Sequence, residues 1–114
     1  MRRAIPFLAI IFLATSCTVT TQLYDWKNYD HAVYAYTKKS DEKSVEALMG
    51  IYAKLIENSG GSRNVPPPSV CADYGFLLIN EGKIEEGKAL LLKESELYPE
   101  SKKFIDLVIK RLER

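Results

Sequence analysis

From residue 29 onward the apolar residues of this chain recur at helical spacing, and no stretch alternates long enough to build a strand. Val45, Leu48, Met49, Tyr52, Leu55 and Ile56 form the longest such stripe and predict a helix ending near Asn58. Before it, Tyr29, Ala32, Val33 and Tyr36 fall at i, i+3, i+4 and i+7. Between the two lies Lys38-Lys39-Ser40-Asp41-Glu42, whose Ser40 is placed to cap the longer helix with acids in its first turn. Residues 58–64 read as a loop, continued in extended form by Val65-Pro66-Pro67-Pro68. Ser69 then stands where it can cap a third helix carrying Val70, Tyr74, Leu77 and Leu78 and ending at Gly82. A fourth spans 84–98 and is broken by Pro99, and Ser101 can cap a fifth with Phe104, Leu107, Val108 and Leu112 on one face. The expected fold class is all-α, with about five helices.

One segment carries a sharper pattern. Residues 68–101 resemble the tetratricopeptide template of about 34 residues without a gap. In that register Gly75 takes the small position of the first helix, Gly82 makes the turn, and Ile84 begins the packing face of the second helix. Gly87 occupies the small site where the helices come closest, Leu91 the large apolar site, and Pro99 the terminal stop. Small residues let two antiparallel helices approach, and large ones fill the space on either side. Glu94 breaks the pattern where a second small residue belongs. A single repeat cannot bury its own face, so the first two helices are expected to act as a degenerate second pair.

The N-terminus has a different character. Arg2 and Arg3 precede the apolar run 4–14, which leads through Thr15 and Ser16 to Cys17. A charged stretch, an apolar stretch and small residues make a targeting segment. With the cysteine they resemble the lipobox of bacterial lipoproteins, although Ala14 stands where leucine is commonest. The resemblance implies cleavage before Cys17, a diacylglycerol on its thiol and an acylated amine. The run 4–14 contains Pro6 and falls short of the roughly 20 apolar residues that a spanning helix needs. Thr18 replaces the aspartate that retains such proteins at the inner membrane, which implies the outer membrane of a Gram-negative cell, on its periplasmic face. The expected division is a signal peptide over 1–16, an acylated tether over 17–23 and a helical domain over 24–114.

What remains after cleavage is enough for one small domain. Without Arg2 and Arg3 the formal charge of +1 becomes −1, and no long basic block survives, which argues against a nucleic-acid partner. With Cys17 alkylated, Cys71 has no partner for an internal disulfide; its place in an apolar stripe favours a small buried hydrophobe, with a reactive or intermolecular thiol as the alternative.

Catalytic chemistry finds little support. His31 is the only histidine and reads as an exposed helix residue rather than a metal ligand. Glu85, Glu86, Glu94 and Glu96 read as solvated charges, and Gly60-Gly61 lacks the lysine and serine of a phosphate loop. No catalytic residue, metal, cofactor or small-molecule substrate is expected. The cluster Tyr24, Trp26, Tyr29, Tyr34 and Tyr36 holds more aromatic side chains than one helix face can bury, so part of it is a candidate surface for a partner or a membrane.

Several further residues carry a wider resemblance. Leu23-Tyr24-Asp25-Trp26, Tyr29-Asp30, Tyr34 with Tyr36, Val65-Pro66-Pro67, Ala72-Asp73-Tyr74-Gly75, Gly82, Lys93-Glu94 and Tyr98-Pro99-Glu100-Ser101 with Phe104 resemble a family of small proteobacterial lipoproteins known as domain of unknown function 4810. The resemblance implies a tetratricopeptide-like outer-membrane lipoprotein, often encoded beside a lipoprotein similar to the curli secretion pore. It implies a part in a secretion or envelope-assembly complex, with other outer-membrane lipoproteins as partners. An accessory role in cell-wall (peptidoglycan) synthesis is the alternative. The family has no assigned catalytic residues to carry over.

Overall fold

The structure is a computed structural model describing residues 21–114; Cys17 and the segment before it lie outside the described residues. Five α-helices follow one another: α1 (Tyr29–Lys39), α2 (Glu42–Glu57), α3 (Val70–Asn80), α4 (Ile84–Leu97) and α5 (Lys102–Leu112), with a 3-10 turn (Pro99–Ser101) ahead of the last. No strand occurs among the described residues. Each helix packs on the next, so α1–α2 and α3–α4 form two hairpins joined through α2 and α3.

The helix ends differ from expectation in instructive ways. Ser40 closes α1 rather than opening α2: it adopts a left-handed φ of 46°, and both its N–H and its hydroxyl donate to the Tyr36 carbonyl. Asp41, extended at φ −87° and ψ 163°, is the true cap, its Oδ1 accepting from the Ser44 N–H at 2.8 Å. A capping side chain must reach forward from extended backbone, and only Asp41 has that geometry. Ser101 likewise turns backward, its hydroxyl donating to the Tyr98 carbonyl at 2.7 Å, and does not cap α5.

Two apolar clusters share α3. Ala32, Leu48, Tyr52, Leu55 and Val70 fill the first, between α1, α2 and α3. Ala72, Leu91 and Ile105 fill the second, between α3, α4 and α5, flanked by Phe76, Ile79, Val108, Ile109 and Leu112. Leu55, Leu91 and Ile105 are fully buried, each worth about 1.5–3 kcal/mol of burial. The buried stripe of α5 is therefore Ile105, Val108, Ile109 and Leu112. Phe104 and Leu107, expected on that face, stand outside it and are exposed. Ile84 is exposed too, so the packing face of α4 begins at Gly87.

The α3–α4 hairpin has the close approach its glycines predict. A Cβ on Gly75 would lie 2.8 Å from the Gly87 carbonyl oxygen, and one on Gly87 would lie 2.5 Å from that of Gly75. Backbone thus meets backbone at the crossing. Gly82 makes the turn at φ 82°, with its own N–H donating to the Ile79 carbonyl and that of Lys83 to Leu78, a Schellman closure of α3.

The loop 58–69 binds the domain together. Pro66 and Pro67 are buried, and the Tyr98 hydroxyl donates to the Pro66 carbonyl at 2.7 Å. Ser62 and Arg63 N–H groups donate to the carbonyls of Gln22 and Leu23 at 3.0 and 3.1 Å. Backbone pairing therefore already holds Gln22 and Leu23, just ahead of the helices.

Candidate functional site: an aromatic groove between helices 1 and 3

Helical spacing places Tyr29, Val33 and Tyr36 on one face of α1 and Asp73, Phe76 and Leu77 on one face of α3. The two faces flank a cavity of ≈ 270 Å³ floored by Leu48 and Tyr52 of α2. Its Tyr29 and Tyr52 belong to a longer row of rings: Trp26 to Tyr29 at 5.1 Å, Tyr29 to Tyr52 at 5.8 Å, and Tyr52 stacked on Tyr74 at 6.0 Å. Phe104 extends the surface onto α5, its ring 6.4 Å from that of Phe76. Phe104 is 58% exposed and Leu107, one turn on, 55%.

The five aromatic candidates separate. Tyr29 and Tyr36 line the groove, and Trp26 abuts it through Tyr29. Tyr24 is turned to the loop, where Arg63 donates to its hydroxyl at 3.1 Å and lies over its ring. Tyr34 points away from the core, with the Lys38 ammonium 5.7 Å from its ring centre. Sequence reasoning did not single out Asp73, Phe76 or Tyr52 for this site. A signal for Asp73 was present: it is the one charged residue in the run 70–79.

Burial raises the Asp73 carboxyl above the ordinary carboxylate range, partly offset by the Ser69 hydroxyl, which donates to Oδ2 at 3.2 Å. Asp73 makes no ion pair among the described residues. Burial, then the Asp73 charge, push the Tyr52 phenol far above its usual value, with Tyr29 and Tyr36 adding to the effect. The groove is lined by three hydroxyl-bearing rings, Tyr29, Tyr36 and Tyr52, and by the one carboxyl group of Asp73.

The family model described as Domain of unknown function (DUF4810) matches residues 23–108, from the clasped segment at Leu23 to Val108 on α5. This chain belongs to the DUF4810 family. No curated protein and no solved structure matches it. The groove residues Tyr29, Tyr36, Tyr52, Asp73, Phe76 and Phe104 all fall inside the DUF4810 span.

Two acidic and thiol groups outside the groove turn out to be structural. Glu94, expected to be solvated, is only 3% exposed. Its Oε1 accepts from the Ser69 N–H at 2.7 Å, while Oε2 makes no hydrogen bond. Because α4 runs antiparallel to α3, its last turn lies beside the start of α3, and Glu94 does there what the Ser69 side chain does not. Burial raises its pKa, offset by the N–H groups of Ser69, Ala72 and Cys71. Cys71 is fully buried, and burial with the nearby Glu94 charge pushes its thiol up to about 11. It stays protonated and acts as a small hydrophobe, as its place in the stripe predicts. His31 is exposed on α1.

Proposed function

We propose that this DUF4810 chain is a non-enzymatic interaction module, tethered through Cys17 to the periplasmic face of the outer membrane, whose groove receives a segment of a partner protein. The observation that carries the reading is the continuous aromatic and apolar surface from Tyr29 and Tyr36 across Phe76 to Phe104 and Leu107. Adjacent exposed aromatic and aliphatic side chains mark places where a protein sheds water onto a partner. The partner class we favour is a pore-like outer-membrane lipoprotein of a secretion complex, the association that the family resemblance implies.

The test is a photo-crosslinking amino acid at position 104, with position 83 on the α3–α4 turn as control, in native membranes. Recovery of pore-like lipoproteins at 104 alone supports the reading. Recovery of cell-wall synthases would instead support the accessory role in peptidoglycan synthesis. Identical products at both positions would overturn the groove. For the tether, Cys17→Ala should abolish acyl labelling and leave the precursor uncleaved; a normally processed, membrane-bound variant would refute it.

A further inference from the structure

Within the groove, a carboxylate and several aromatic side chains line one small space. Tyr29, Tyr36, Tyr52 and Phe76 line it together with Asp73. Asp73 is half-buried, and the one hydrogen bond to its carboxyl among the described residues comes from the Ser69 hydroxyl. No lysine or arginine of the described residues pairs with it. The usual explanation for an acid in the first turn of a helix is the positive end of the helix dipole, and Asp73 does occupy that turn. The dipole does not account for the aromatic rings on the far side of the cavity, which come from two other helices.

We infer that this cavity is a cation box that takes the ammonium or guanidinium head of a basic side chain on the docked partner. Aromatic faces attract cations through the ring quadrupole, most strongly where water is excluded. A carboxylate beside the rings adds charge-assisted hydrogen bonding, and the tyrosine hydroxyls offer further acceptors. An apolar occupant would strip water from Asp73 and leave its charge unpaired, which is costly. An anion would be repelled. The volume of ≈ 270 Å³ suits the end of one side chain, being just below the range of about 300–1,000 Å³ typical of whole small-molecule pockets.

This assignment rests on the groove being a docking site and adds the chemistry of the anchor. n-Butylammonium chloride serves as the probe, titrated at millimolar concentration into the purified full chain and followed by NMR of the tyrosine rings. Sodium butyrate and n-butanol are the controls. The expected result is saturable shifts at Tyr29, Tyr36 and Tyr52 with the ammonium alone. Asp73→Asn should weaken binding by at least about tenfold, and Tyr36→Leu by several-fold. Absence of saturable shifts on the folded chain, equal shifts from n-butanol, or unchanged binding by a folded Asp73→Asn variant would overturn the cation box. If Asp73→Asn fails to fold, the contrast between ammonium and alcohol on the native chain decides. Crosslinking at position 104 without ammonium binding would leave the docking groove standing and remove only its proposed anchor.

Discussion

The substitution Gly87→Ala tests the hairpin most directly. Its new Cβ would sit 2.5 Å from the Gly75 carbonyl oxygen and 2.5 Å from Ile79 Cγ1. The Ile79 side chain can turn aside, but the carbonyl belongs to the α3 backbone. Carbon–oxygen contacts settle at about 3.3–3.6 Å, so α3 and α4 must part by roughly 0.8 Å or more at their crossing. Such overpacking costs about 1–3 kcal/mol, and a shift of backbone against backbone belongs at the upper end. Alanine returns about 1 kcal/mol through helix propensity, leaving a net loss of about 2 kcal/mol. For a domain of this size that is a fall in Tm of roughly 8–16 °C, read by far-UV circular dichroism. Gly50→Ala supplies the internal control. Gly50 lies inside α2, and a Cβ there meets nothing within 4 Å, so the same substitution should raise stability by about 0.5–1 kcal/mol. Opposite signs are the prediction. A Gly87→Ala chain as stable as the parent would refute the reasoning.

Three further outcomes follow from other groups. Because burial raises the Glu94 pKa, the folded chain holds that proton more tightly than the unfolded one. Its contribution to stability therefore falls as pH rises from the ordinary carboxylate range to the folded value, and is constant above it. Glu94→Gln should flatten that part of the urea-midpoint profile, whereas Glu94→Ala should cost about 1–3 kcal/mol by orphaning the Ser69 N–H; a variant with the parent's profile would contradict the account. Tyr98→Phe removes the hydroxyl bonded to the Pro66 carbonyl and should lower unfolding free energy by about 1–2 kcal/mol in urea titration. With Cys17→Ala removing the other thiol, Cys71 should react with an aromatic disulfide reagent only on unfolding; rapid labelling of the folded chain would show the site to be open.

What was legible in the sequence was whatever depends on neighbours along the chain. The stripe from Val45 to Ile56 became α2, the proline-rich stretch stayed a loop, and Gly82 and Pro99 ended helices where backbone chemistry requires it. Gly75 and Gly87 gave away the close crossing because a missing Cβ in a helix otherwise costs stability. Caps were less legible. Ser40 and Asp41 are both good capping residues, and the choice depends on which one the end of α1 leaves in extended backbone.

Only the tertiary structure decided which faces meet. On α5 two overlapping stripes share Val108 and Leu112, one running through Phe104 and Leu107, the other through Ile105 and Ile109. Spacing alone cannot rank them, because either presents apolar area at helical period. Packing against Ala72 and Leu91 buries Ile105 and leaves Phe104 to the groove. Glu94 reads as a surface charge until α4 folds back beside the first turn of α3, and Asp73 meets the tyrosines only when α1 and α2 pack beside α3. The local periodicity of the chain determined the helices. The burial and the site arise from contacts between residues tens of positions apart, which no window along the sequence contains.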